Sequence, residues 1–298
     1  MQSRLNTSLS LSSKEKEILL EYFPKGICAF DLEMTGLSPT LDKIIEIAAI
    51  KFLPTGEIET FHSLINPLIP IPEHTIQYHQ LTNEKLRDAK TLKTPLREFL
   101  NFYDNLPLLA HNAMFDASFL IRGIHEFHYP ISLSNIFDSC KFARGLYKKR
   151  EEAPENFKLS TLAEYFKISF NHHQALEDAI VCLKVFANCL LTHKQLRPND
   201  NFKADAFLFK LNAFQKPESY ILPNKLRDIK VFLENRTSFF IKYKGGQFKG
   251  KFRKVTPISL LPLPQGLVLY AECLNSNMNK YFYIRKIQST SLEDKNVD

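Results

Sequence analysis

No stretch of this chain reaches the ~18 continuous apolar residues that a membrane span requires. Residues 1–13 are rich in Ser and Leu but hold no apolar core of signal-peptide length, so no leader is expected and the expected location is cytoplasmic. Cysteine is sparse. The five thiols, Cys28, Cys140, Cys182, Cys189 and Cys273, are odd in number, scattered and set mostly in apolar segments. That argues against a disulfide framework and for reduced, packed side chains. Internal repeats and low-complexity tracts are also missing.

What is present is ample apolar material. A hydrophobic content of 44% over 298 residues suffices for one large domain or two ordinary ones. The net charge of +7 is uneven, with residues 201–298 summing to +9 and residues 1–200 to −2. The front suits a carboxylate metal site. The back suits a polyanion, although an ordinary solvated basic surface fits its charge equally well.

The apolar run Gly26-Ile27-Cys28-Ala29-Phe30 leads into Asp31-Leu32-Glu33-Met34-Thr35-Gly36-Leu37 and reads as a buried strand. Alternation puts Asp31 and Glu33 on one face, about 7 Å apart, close enough to share a divalent cation. Thr35-Gly36 ends the strand in a turn, where a glycine lets a ligand approach the backbone.

Ser12 and Glu15 form a capping-box pair ahead of a helix that runs to Tyr22. Residues 43–52 and 60–65, joined through Pro54-Thr55-Gly56-Glu57, make an antiparallel meander with the first strand. Residues 67–72 are a proline-punctuated loop, 82–87 and 96–103 are helices, and 106–110 is a fourth strand. Helices are expected from Phe115 to Phe127, over 159–166, and from Ala175 to Leu190. The front domain is placed at residues 1–195, with a linker at 196–222 and a basic β-rich domain at 223–298 that opens on a helix over 223–235.

Two further acidic sites follow. His111-Asn112-Ala113-Met114-Phe115-Asp116 ends a strand and opens a helix, with Asp116 in the first turn, where the helix dipole favours a carboxylate. His173-Gln174-Ala175-Leu176-Glu177-Asp178 opens another. Five helical residues turn through about 500°, so His173 belongs on the loop before the helix rather than on the face of Asp178. Asp31, Glu33, Asp116 and Asp178 are hard oxygen ligands, which favour Mg²⁺ or Mn²⁺ over zinc. Four carboxylates exceed what one octahedral ion takes from protein, pointing to two cations ~4 Å apart and phosphoryl chemistry. A histidine near pKa 7 is the natural general base.

In this order, Asp-x-Glu, His-Asn-Ala-x-Phe-Asp and His-x-x-x-x-Asp resemble the three motifs of the DEDDh, DnaQ-like exonucleases over residues 25–192. The resemblance implies an α/β ribonuclease H-like fold, with a mixed five-stranded sheet and helices on both faces. It implies 3′→5′ release of nucleoside 5′-monophosphates from single-stranded nucleic acid or 3′ ends. Carried over, Asp31 bridges two Mg²⁺ (or Mn²⁺), Glu33 and Asp178 hold the ion of the attacking water, Asp116 supports the second, and His173 is the base. Thr35, Gly36 and Leu37 line the terminal nucleotide, while His111 and Asn112 shape the site. Met34 makes the first motif closer to that of oligoribonuclease, while Phe115-Asp116 keeps the second like that of the polymerase exonucleases, which leaves DNA and RNA both open. No polymerase-association segment is recognisable.

Residues 236–290 resemble a WYL domain, a small Sm/SH3-like barrel, through Phe240-Ile241-Lys242-Tyr243, Arg253-x-x-x-Pro257, Leu269-x-Ala271 and the Phe282-to-Ile287 strand. Leu267-Val268 stands where that family has Trp-Tyr. A second reading is kept beside the enzyme: a catalytically weak sensor of nucleic-acid ends, or regulator, that acts through this basic domain.

Overall fold

A computed structural model describes residues 10–169, 174–246 and 248–296. The chain forms two compact units. The first holds the described residues up to Thr35 and Lys43–Asn212; the second holds Gly36–Asp42 and Ala213 to the C-terminus.

The first unit opens with α1 (Ser13–Tyr22), started by the Ser12–Glu15 capping box read from sequence. Strands β1 (Ile27–Met34), β2 (Ile44–Phe52) and β3 (Ile58–Leu64) pair antiparallel, as the meander requires. Then come α2 (Glu73–His79), α3 (Asn83–Leu86), α4 (Lys93–Tyr103), β4 (Leu108–Ala110) and α5 (Met114–Glu126). They are followed by β5 (Asn135–Asp138), α6 (Ser139–Tyr147), α7 (Leu159–Tyr165) and α8 (Ala175–Leu196). Strand β4 lies parallel to both β1 and β5.

The sheet has six strands, in the order β3-β2-β1-β4-β5-β6, where five were expected. The extra strand β6 (Phe207–Lys210) follows α9 (Lys203–Ala206) within the stretch read as a linker, and it pairs antiparallel with β5. A four-residue edge strand has too few alternations to show in a sequence; its partner β5 creates it.

Strand β1 is central, so both of its faces are covered. Ile27 and Ala29 join the core built with α1, α6 and α8. Phe30, one residue out of phase, turns to the other side, where its ring lies 5.6 Å from that of Phe99 on α4. The core under α8 is unusually aromatic. Phe137 stacks on Phe202 at 5.8 Å, and Phe186 sits among Phe23, Phe137, Phe142 and Phe202. Each such buried ring contributes roughly 2–3 kcal/mol over leaving it exposed.

In the second unit, 3₁₀ turns lead to α10 (Asp228–Glu234) and a five-stranded antiparallel sheet. Its strands are β7 (Phe239–Tyr243), β8 (Phe252–Leu263), β9 (Gly266–Cys273), β10 (Met278–Tyr283) and β11 (Ile287–Ser291), in the order β10-β9-β8-β7-β11. The barrel expected from sequence is thus described as an antiparallel sheet with β10 and β11 at its ends. Strand β8 runs on through Pro257. The register shift between Pro257 and Ser259 is where a residue without an N–H is tolerated. The segment 36–42 belongs here: Ser38 Oγ accepts the Leu260 N–H at 3.3 Å, and Leu41 packs on the core of this unit. Among the described residues no helix is long and apolar enough to cross a membrane.

Candidate active site

Odd-numbered residues of β1 face α8. Ile27 and Ala29 fill the core there, and Asp31 and Glu33 continue the same row toward the strand end. Helix α8 carries Asp178 in its first turn. One carboxylate oxygen from each of Asp31, Glu33 and Asp178 lies within 4.8 Å of the others, and all three side chains remain partly exposed.

Asp116 arrives from the other side. It sits in the first turn of α5 and is buried. Its Oδ1 accepts the backbone N–H of Leu32 at 3.2 Å, which ties α5 to the residue between Asp31 and Glu33.

Desolvation and mutual repulsion dominate the electrostatics. Burial, then the charges of Glu46 and Asp178, push Glu33 up to about 8. Burial raises Asp116 to about 7 despite hydrogen bonds from its own and the Leu32 amide. Burial and the neighbouring Glu177 raise Asp178 to about 7. Asp31, between the others, is raised by burial and then by Asp116, Glu33 and Asp178. Hydrogen bonds and a helix N-terminus together do not offset the removal of these groups from water. A divalent cation would relieve both terms. The all-oxygen donor set of the cluster fits a hard cation such as Mg²⁺ or Mn²⁺.

Glu46 was passed over in the sequence. On β2 it stands directly opposite Glu33, and its Oε1 accepts from Nε2 of His62 at 2.6 Å. That bond raises the His62 pKa. The available signal was a lone acid inside the apolar run 44–50, which a buried strand does not keep without a partner.

The remaining expected residues fall as follows. Thr35 is buried, and its Oγ1 accepts the Lys43 N–H at 3.0 Å, closing the base of the 36–42 loop. At Gly36 a Cβ would stand 2.5 Å from the Asp42 carboxylate, so the loop admits no side chain there. Leu37 is 52% exposed. His111 spends both ring nitrogens internally: Nδ1 accepts from Ser139 Oγ at 2.7 Å, and Nε2 donates to the Phe157 carbonyl at 2.9 Å. Burial lowers its pKa to about 4, so it is neutral and holds loops together. Asn112 adopts φ +63° and gives its N–H to Asp138 Oδ1 at 3.1 Å, fixing the turn ahead of α5. His172 and His173 lie outside the described residues.

A family model described as Exonuclease, of the RNase T type, matches residues 28–186. A DNA polymerase III PolC-type of Caldanaerobacter subterraneus subsp. tengcongensis is 35% identical over 162 residues, covering 54% of this chain and 11% of that protein. The chain therefore spans about a tenth of that relative's length. Among solved structures, the nuclease domain of 3′hExo, a DEDDh family member bound to rAMP, is similar. It has a TM-score of 0.50 and 20% identity, covering 59% of this chain and 96% of that one. E. coli Exonuclease I in complex with a dT13 oligonucleotide matches with a TM-score of 0.52 and 13% identity, covering 83% of this chain and 55% of that one. At these identities the structures establish a shared fold.

Proposed function

The chain belongs to the DnaQ-like, DEDDh exonuclease family, and from that membership we propose that it is a metal-dependent 3′→5′ exonuclease releasing nucleoside 5′-monophosphates. The observation that carries the reading is the convergence of Asp31, Glu33 and Asp178 within 4.8 Å, with Asp116 pinned alongside. The raised pKa values of these acids mark a site poised for cations.

Two Mg²⁺ or Mn²⁺ ions held there supply a nucleophile at neutral pH and neutralise charge at the phosphate. Asp31 would be shared between them, Glu33 and Asp178 would hold one, and Asp116 the other. His173, two residues before the first residue of α8 in the sequence, takes the proton of the attacking water. Thr35, Gly36 and Leu37 receive the terminal nucleotide at the turn after Glu33. His111 and Asn112 act by fixing the turn that delivers Asp116.

DNA is the favoured substrate, because the relative sharing 35% identity is named a DNA polymerase; RNA is the comparison. The test sets linear strands against circles of the same sequence, with Mg²⁺ and with EDTA. Mononucleotide release from free 3′ ends, needing Mg²⁺ and blocked by a 3′-terminal cap, is the expected result. Efficient cutting of the circle would place the protein among endonucleases.

A further inference from the structure

The sheet of the second unit has a core face and an opposite face of different chemistry. Along β7, Phe239, Ile241 and Tyr243 are buried, and Phe240 and Lys242 alternate with them. Along β8, Arg253 and Val255 are buried, while Phe252, Lys254 and Thr256 point the other way. The register sets Phe240 opposite Lys254 and Lys242 opposite Phe252. Each pair is in contact: the Lys254 Nζ lies 5.9 Å from the Phe240 ring centre, and the Lys242 Nζ 5.9 Å from that of Phe252. The result is a checkerboard of two rings and two ammonium groups. Strand β11 adds Ser289 and Ser291 beside Lys242 and Phe240. Farther along the sheet β9 sets Glu272 opposite Thr256, and two residues beyond it Tyr270 and Tyr281 stack at 4.7 Å.

Three properties select the occupant. The rings are not sunk in the core, so their faces lie at a surface. The basic charge is local as well as global, since the exposed Lys244, Lys249 and Lys251 flank the β7–β8 hairpin and the region from residue 201 carries +9. Arg253 keeps the platform stiff from beneath. It is buried among Tyr243, Phe248 and Phe282 and donates from Nη2 to the Gly245 carbonyl at 3.0 Å. A rigid strip of rings interleaved with ammonium groups offers a single-stranded nucleic acid stacking faces for bases and cations for phosphates. An acidic protein would use the lysines but leave the rings without purpose.

We propose that this face of the second unit, centred on Phe240, Lys242, Phe252 and Lys254, is a binding surface for single-stranded nucleic acid separate from the carboxylate centre. It rests on the proposed nuclease reading only for the choice of ligand.

The test is a fluorescence-anisotropy titration of the full chain in EDTA, so that nothing is cut, with labelled dT20 and U20 at several salt concentrations. Lys242→Gln with Lys254→Gln should weaken binding and flatten the log–log salt slope by about 1.4, at about 0.7 per lost phosphate contact. Phe240→Leu and Phe252→Leu keep the bulk but remove the stacking surface, and each should weaken binding roughly fivefold or more with the slope unchanged. Cleavage of a dinucleotide should be unaltered in all three variants. Wild-type affinity and slope in the lysine pair and both leucine variants, with unchanged melting temperatures, would overturn the proposal. So would an acidic peptide that binds while the oligonucleotides do not. Because binding is read without metal, the result stands whether or not the chain proves to be an exonuclease.

Discussion

Asp116 Oδ1 accepts the Leu32 N–H, so the acid from α5 is fastened to the peptide between the two acids of β1. The bond makes Asp116 a brace as well as a candidate cation ligand, and the two roles separate by substitution.

Asp31→Asn should lower turnover by at least ~10³-fold with little loss of stability, because an amide cannot serve between two cations. Asp116→Asn still offers an oxygen to the Leu32 N–H, so it should keep the fold and lose rate. Asp116→Ala leaves that buried amide without its acceptor and should cost an additional 1–3 kcal/mol or so of stability. Steady-state kinetics in Mg²⁺ and urea unfolding of the three variants check this. Near-normal turnover in Asp31→Asn would remove the site assignment.

The raised carboxylates predict a pH window. In the cation-free protein Glu33 titrates near 8 and Asp116 and Asp178 near 7, against ordinary values of about 4 when unfolded. Between these values the folded state binds more protons, so stability is complete below about pH 4 and falls as pH rises toward 8. Millimolar Mg²⁺ should raise the melting temperature, and more at pH 8 than at pH 5. Glu33→Gln should flatten the apo profile, which distinguishes this cluster from the His62–Glu46 pair, whose contribution falls in the same direction. A flat apo profile in the wild type would contradict the electrostatics.

Glu46 adds negative charge beside Glu33 without belonging to the cluster of three. Glu46→Gln should therefore lower the Glu33 pKa and weaken Mg²⁺ binding ~10–100-fold, the usual effect of an outer partner. Calorimetry gives the affinity and side-chain carbon NMR the titration. Unchanged values in both would make Glu46 only a strand-pairing residue.

His173→Ala should reduce the rate by ~10²–10⁴-fold with cation affinity nearly intact, as for a general base. His172→Ala is the control. A crippled His172 variant beside an active His173 variant would shift the register of the motif by one residue.

Much of this site was legible in the chain itself. The parity of Asp31 and Glu33, the first-turn positions of Asp116 and Asp178, the capping box at Ser12 and the β1–β3 meander all depend on local periodicity, which sequence displays directly. Tertiary structure decided what depends on distant partners. Strand β6 exists because β5 offers it an edge. Glu46 meets Glu33 only through the β1–β2 register. His111, a motif residue, is occupied by Ser139 and Phe157, 28 and 46 residues away. The loop 36–42, continuous in sequence with the acidic strand, takes its packing partners from far downstream, at Leu260, 222 positions from Ser38, and in the core of the second unit. Spacing in a sequence records which way a side chain points, but only the folded chain determines what stands opposite it.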